Sequence, residues 1–208
     1  MTNQTKAYNY IKEQIITGKY RPGHLLSENQ MGIRLNLSRT PIREAINVLE
    51  SEGLIERDGQ ETRVTKITAA ELKENYDLRS MLEAYALQKN FDNLDETKLI
   101  NFKTQLIKAG VEQNWSQYII LDKKLHLYLT SSASGSTLQK SLDLLNNQTD
   151  RMRYTIAKSN LCVKTCVKEL IEIIDTILNK DKNLAIKLLQ DHISKIFSWE
   201  SEYFNKEA

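Results

Sequence analysis

Proline, cysteine and long apolar runs are all rare or absent in this chain. Two prolines occur among its 208 residues, both before residue 42, and glycine is present after residue 69 only at Gly110 and Gly135. Long uninterrupted helices are therefore permitted throughout the second half. The two cysteines are too few for a disulfide scaffold. No run of about twenty apolar residues is present, which argues against a membrane helix.

The charge of the chain is nearly balanced, with a formal net charge of +2 at pH 7. Residues 1–67 hold 10 basic and 8 acidic residues, and the rest of the chain holds 19 of each. So small an excess attracts phosphates weakly, and binding to nucleic acid would need specific contacts and the pairing of two subunits. The first residues lack the apolar core of a signal peptide, so we expect a cytoplasmic protein with no membrane partner.

A short helix is predicted to begin near Ser38 or Arg39. Ser38 is a natural N-cap, and a proline is tolerated in the first turn that follows. Arg39 and Arg43 lie one turn apart on its polar side, beside Thr40. Their guanidinium groups suit phosphate oxygens or the paired acceptors of guanine in the major groove. The alternative is a pair of solvated charges matched by Glu44 or Glu50.

The flanking segments complete a winged helix-turn-helix. A shorter helix is predicted after Ser27, joined to the next helix by a tight turn at Asn36. Gly53 ends the second helix, and residues 54–57 and 62–66 have the composition of two strands joined by a turn at Gly59.

The run Ser-Arg-Thr-Pro-Ile-Arg-Glu-Ala at residues 38–45 resembles the recognition helix of the GntR family of bacterial transcription regulators. The likeness spans roughly residues 8–66. It implies DNA contacts from five residues, Asn29, Ser38, Arg39, Thr40 and Arg43. Asn29 is neutral where the family often has a basic residue, and Gln60 and Glu61 replace a basic residue and a glycine in the wing. An acidic residue near phosphates is repulsive, so we expect a weaker contribution from this wing.

Apolar periodicity in the second half marks about six helices. They fall at residues 69–90, 95–109, 114–131, 136–158, 162–180 and 182–205. The predicted fold is therefore mainly α. A winged helix-turn-helix (α+β) at residues 1–67 is followed by an all-α antiparallel bundle of about six helices at residues 68–208.

One pattern within the bundle points to a metal. Asp122 and His126 are four residues apart on one helix face, and His192 lies on the last helix, so the three are suitable ligands for a divalent transition metal. This region resembles the FCD effector domain of the FadR-like branch of the same family, which implies zinc, nickel or manganese and a further histidine where this chain has Leu170. The Cys166 thiolate, one turn earlier, is an alternative ligand, although Cys162 and Cys166 also fit as small buried residues. Without a metal, Asp122 and His126 could instead form hydrogen bonds with each other and with His192.

The same resemblance implies an effector contact from an arginine, Arg79, whose guanidinium could clamp a carboxylate. Arg151 and Arg153 on the fourth helix of the bundle are further candidates. Arg79 could instead pair with Glu83, four residues later on the same helix.

These observations predict a dimeric repressor that binds a palindromic operator in double-stranded DNA and responds to a small organic acid. Two alternatives are a DNA-binding dimer with no effector or metal, and a small metal-dependent enzyme. The chain contains no nucleophile and base arrangement and no Gly-rich phosphate loop, so the expectation is that it is not an enzyme.

Overall fold

The computed structural model describes the backbone of residues 1–59, 61–131, 136–156 and 163–207, and of these it leaves the side chains of residues 152–156, 163–164, 199–200 and 202–207 undescribed. Within this part of the chain there are nine α-helices, one short 3₁₀ helix and one two-stranded sheet. None of these helices combines the length and apolar character needed to cross a membrane. The chain divides into two compact units.

Unit 1 comprises Met1–Thr68 together with Asn146–Thr155. Its elements are α1 (Asn3–Ile16), α2 (Glu28–Leu35), α3 (Arg39–Ser51), β1 (Ile55–Asp58) and β2 (Glu61–Val64). The two strands are antiparallel, with Ile55 opposite Val64 and Asp58 opposite Glu61. The predicted winged helix-turn-helix is confirmed, with the first strand shifted by one residue.

Local signals explain where the helices of unit 1 begin and end. The Ser27 hydroxyl accepts a hydrogen bond from the backbone N–H of Gln30 and caps α2. Asn36 then adopts a left-handed conformation with φ 53°, which makes the tight turn. Ser38 occupies the N-cap position of α3, but its side chain makes no capping hydrogen bond, contrary to the expectation from sequence. Gly53, with φ 70°, ends that helix in a conformation that favours glycine.

The core of unit 1 lies between α1 and α3. The apolar stripe of α3 is fully buried, and so are the residues that face it from α1 and the strands. These are Ala7, Ile11, Ile15, Ile42, Ala45, Ile46, Leu49, Leu54 and Val64. Burying this stripe leaves the opposite face of α3 as the one that meets solvent.

A segment from late in the chain also belongs to unit 1. Gln148 donates a hydrogen bond to the carbonyl of Gly53 at 3.0 Å. Arg151 donates to the carbonyl and the hydroxyl of Thr65, at 2.6 and 2.9 Å. Residues 146–155 therefore brace the chain just after α3 and just after β2, a contact that the sequence pattern did not predict.

Unit 2 comprises Ala69–Leu145 and Ile156–Ala208. Its helices follow the predicted segments closely: α4 (Ala69–Asn90), α5 (Glu96–Val111), α6 (Trp115–Leu129), α7 (Thr137–Ile156), α8 (Val163–Leu178) and α9 (Lys182–Glu207). A short 3₁₀ helix, Phe91–Asn93, separates the first two. Helix α4 packs on α9, α5 packs on α6 and α8, and α8 packs on α9. The six predicted helices are confirmed, although residues 146–155 of α7 belong to unit 1.

Candidate nucleic-acid interface and metal centre

The polar face of α3 presents the predicted DNA contacts to solvent. Ser38, Arg39, Thr40 and Arg43 are all exposed, and so is Asn29 in the first turn of α2. The exposure follows from the burial of the opposite, apolar stripe. A helix whose first two turns carry exposed cationic side chains can enter the major groove.

Arg43 is held by a glutamate from the preceding helix. Its Nε and Nη2 atoms donate to the two carboxylate oxygens of Glu28, at 3.1 and 2.9 Å. Glu28 thus takes the place of Glu44 or Glu50, which the alternative interpretation of the sequence offered as partners for Arg43. The hydrogen bond from Arg43 is the main cause that lowers the pKa of Glu28, helped by the charges of Arg43, Arg57 and Arg39 and opposed by partial burial.

Two arginines of the wing strands are also paired with acidic or amide groups. Arg57 contacts Glu50 at 3.0 Å and donates to the side-chain oxygen of Asn47 at 2.6 Å. Arg63 pairs with Glu61, two residues earlier on the same strand. The negative charge of Glu61 in the wing is thus offset by Arg63. Gln60 lies outside the described residues.

Asp122, His126 and His192 form a buried cluster in unit 2. The first two lie on α6 and the third on α9, and one ligand atom from each lies within 4.8 Å of the other two. The Oδ1 atom of Asp122 is 3.6 Å from His126 Nε2 and 3.4 Å from His192 Nε2. At most 6% of any of these residues is exposed. The structure therefore brings together the three residues predicted from sequence.

Each imidazole ring is held on its far side by one further carboxylate. Glu83 lies 2.5 Å from His126 Nδ1, and Glu169 lies 2.9 Å from His192 Nδ1. A hydrogen bond at Nδ1 fixes the ring so that Nε2 faces inward, as in metal-binding histidines. In the described part of the chain, the buried His126 Nε2 has no hydrogen-bond partner. Neither role was predicted from the sequence, in which Glu83 was only a possible partner of Arg79.

Arg79 holds Glu83 in its ionised form. Arg79 is 1% exposed, and its Nε donates to Glu83 at 2.5 Å, so the pairing considered from the sequence is confirmed. Burial raises the pKa of Glu83, but the charges of Arg79 and His126 and their hydrogen bonds outweigh burial and lower it to about 2. An ionised carboxylate only accepts hydrogen bonds, so Nδ1 of His126 is the donor. When the ring is neutral, its Nε2 lone pair is free to bind a metal.

The outer layer of the cluster reaches solvent at Glu169, which accepts hydrogen bonds from both His192 and Lys195. Burial raises the pKa of Glu169, but these two partners lower it overall. Burial alone lowers the pKa of His192, yet hydrogen bonds and charges from Asp122 and Glu169 raise it above its ordinary value. Metal-free His192 is thus stabilised in its protonated form.

Several residues that the sequence associated with the metal or the effector lie away from the cluster or outside the described residues. Leu170 is buried, and Cys166 is buried outside the cluster of described ligand atoms. Arg151 is engaged with Thr65 in unit 1, where burial lowers its pKa to about 10. Cys162 and the Arg153 side chain lie outside the described residues.

Two family models match the chain. The model described as "Bacterial regulatory proteins, gntR family" covers residues 3–64, and the FCD domain covers residues 74–195. The two matches together extend over almost all of the described part of the chain.

Known regulators match the chain over most of their own length. The HTH-type transcriptional regulator YdhC of Bacillus subtilis is 28% identical over 203 residues, which cover 94% of this chain and 88% of the relative. The gluconate operon transcriptional repressor of Bacillus licheniformis is 27% identical and covers 89% and 80%. The solved structure of E. coli McbR/YncC is 18% identical with a TM-score of 0.83, covering 98% of this chain and 99% of that protein, which shows a shared fold.

Proposed function

This chain belongs to the GntR family and is a DNA-binding transcription regulator with an FCD domain, and we propose that it is a dimeric, effector-responsive repressor. Because the family and the relatives are regulators, the chain is not an enzyme. The finer proposal has three parts: an operator read by α3, a metal at the buried cluster, and a small organic acid that binds beside it.

The operator contact rests on one observation, the exposed cationic face of the first two turns of α3. Arg39, Thr40 and Arg43 would enter the major groove, with Ser38 and Asn29 beside them. Two subunits related by a two-fold axis would present two such helices to an inverted repeat about one helical turn apart. The repressor relatives support the negative sign of regulation.

The test begins with selection of DNA fragments by the purified protein, followed by fluorescence anisotropy on the selected sequence. Arg43→Ala should weaken binding by about 5- to 150-fold, since a bidentate base contact contributes about 1–3 kcal/mol. Arg21→Ala is a matched control, because Arg21 is exposed but lies in the turn between α1 and α2. Equal losses for the two variants, or no selected sequence, would contradict the proposal. Light scattering on the complex should give two subunits per operator.

The metal proposal rests on the donor set of Asp122, His126 and His192. One carboxylate and two imidazoles suit zinc, nickel or manganese. The Nε2 atom of His126 has no hydrogen-bond partner among the described residues, and both Nδ1 atoms are held by carboxylates, which fits a metal better than a closed hydrogen-bonded network. Three protein ligands leave coordination positions open, and a bound metal would supply an anchor for an anionic effector.

The charges around the cluster favour such an anion. With both imidazole rings neutral, as metal binding requires, Arg79 offsets Glu83 and Lys195 offsets Glu169, so Asp122 leaves about one negative charge among the described groups. A divalent metal reverses that sign, and a carboxylate would then neutralise the site. Arg79 has a buried Nη2 without a hydrogen-bond partner in the described chain, and this atom could donate a hydrogen bond to the effector carboxylate. Because Arg151 is engaged with Thr65 and the Arg153 side chain lies outside the described residues, Arg79 is the candidate for the effector contact.

Elemental analysis and thermal shift test the metal and the effector together. Wild-type protein purified without chelator should contain up to one metal per chain, and chelation should lower its Tm. His126→Ala should lose the metal, whereas His24→Ala, which changes an exposed histidine of unit 1, should keep it. Organic acids should raise the Tm of loaded protein. No metal and no stabilising acid would favour the alternative of a DNA-binding dimer without effector.

A further inference from the structure

The contact between Glu28 and Arg43 connects the two helices of the helix-turn-helix. Glu28 lies in the first turn of α2, and its carboxylate accepts two hydrogen bonds from Arg43, at 3.1 and 2.9 Å. The arginine side chain is nevertheless 61% exposed, while that of the glutamate is 27% exposed. Glu28 therefore holds the base of the guanidinium group and leaves its outer end in solvent.

The geometry of the contact decides which hydrogens of Arg43 remain available. A guanidinium group has five N–H donors, one on Nε and two on each Nη. Glu28 uses the side edge, formed by Nε and Nη2. The end edge keeps one outward hydrogen on Nη1 and one on Nη2. These two parallel donors match the O6 and N7 acceptors of a guanine.

Charge separates the two classes of DNA group that Arg43 could contact. A guanidinium paired with a carboxylate carries almost no net charge, so its attraction to a phosphate is weak. Guanine acceptors are neutral dipoles, and they need aligned donors rather than net charge. Arg39 differs, because within the described residues it is exposed and has no ion pair. The full charge of Arg39 is available to the phosphates.

We infer that Glu28 is a positioning residue for sequence recognition, which directs the end edge of Arg43 to a guanine and suppresses its use as a general phosphate contact. Arg39 then supplies the charge-dependent part of the affinity. This inference rests on the proposed operator contact of α3. It predicts that Glu28 contributes to discrimination between sequences although it carries the charge that DNA repels.

Glu28→Gln tests this directly, with anisotropy on the selected operator and on mixed-sequence DNA across a range of salt concentrations. The variant should bind mixed-sequence DNA more tightly by a few-fold, with a salt slope steeper by about one. Its preference for the operator should fall about tenfold or more. Glu13→Gln, a matched charge removal on the exposed side of α1, should leave the preference unchanged. Glu28→Ala removes the carboxylate without introducing an amide, and it should give the same changes in affinity, salt slope and operator preference.

Base analogues identify the guanine. Replacing operator guanines one at a time by 7-deazaguanine removes the N7 acceptor, and one position should cost the wild type about tenfold. That penalty should disappear in Arg43→Ala, shrink in Glu28→Gln and persist in Arg39→Ala, which forms a double-mutant cycle between residue and base. A purely structural role for Glu28 would lower the Tm without removing this coupling.

The outcomes separate the inference from the proposed function. If no DNA is selected, or if Arg43→Ala has no effect, the operator contact itself fails. If Arg43→Ala weakens binding but Glu28→Gln raises operator and mixed-sequence affinity equally, Glu28 is a lock that DNA displaces, and the inference is overturned. Survival of every 7-deazaguanine penalty in Arg43→Ala would overturn it as well.

Discussion

Two arginine–glutamate pairs, one in each unit, have similar chemistry and opposite surroundings. Arg43 and Glu28 meet at the surface of unit 1, with 61% and 27% of their side chains exposed. Arg79 and Glu83 meet inside unit 2, with 2% of each exposed. Burial thus decides whether such a pair meets a macromolecule at the surface or serves a site inside its own unit.

The physical reason is the cost of separating charges where water is excluded. A surface pair is screened, and its members exchange partners at little cost. A buried pair has given up its hydration, so removal of one member leaves the other without compensation. Arg43 can therefore remain a reader of DNA, whereas Glu83 is committed to orienting His126.

The largest expected effect comes from breaking the buried pair. Glu83→Ala should destabilise metal-free protein by about 3–5 kcal/mol, because Arg79 is left as an uncompensated buried charge. Urea unfolding followed by circular dichroism measures the change. Replacing both residues by methionine should recover much of the loss, since the stranded charge is then absent. A loss below about 1 kcal/mol in the single variant would place this pair in the same class as the surface pair.

Glu169→Gln should affect metal binding more than folding. The amide presents a poorer acceptor to His192 Nδ1, and loss of such a partner weakens metal affinity by about 10–100-fold. Competition with a coloured chelator measures the affinity. Glu172→Gln, an exposed change on the same helix, is the matched control. Equal affinities for the two variants would show that Glu169 has no orienting role.

The stability of metal-free protein should depend on pH through His192. Its folded pKa is raised, so the stabilisation is fully present below the unfolded value of about 6.5 and is lost as pH rises through the folded pKa. Over the same window, metal affinity should increase, because the ligand must be deprotonated. The difference in unfolding free energy between wild type and His192→Gln isolates this contribution. A difference that grows as pH rises would have the wrong sign.

The smallest effect is expected at the surface pair. Glu28→Gln should change stability by less than about 1 kcal/mol, and the change should shrink in high salt. Urea unfolding at two ionic strengths is sufficient to measure it. A change as large as that of Glu83→Ala would remove the contrast between the two units.

Sequence patterns predicted the elements well because each element is set by local periodicity. The six helices of unit 2 lie within a few residues of the predicted segments, and Asn36 and Gly53 adopt the positive φ values that their turns need. The trio of Asp122, His126 and His192 was also predicted. The Nδ1 partners Glu83 and Glu169 were not assigned, since they belong to other helices and their approach depends on packing.

The sequence by itself determined which face of α3 is buried and hence that Arg39 and Arg43 are exposed. It also determined that the second half is helical and that it carries one carboxylate and two imidazoles at suitable spacing. Only the tertiary structure decided that Arg43 is held by Glu28, that His126 is oriented by Glu83, and that residues 146–155 brace unit 1. Periodicity is a property of one segment, whereas these contacts depend on the relative placement of segments far apart in the chain.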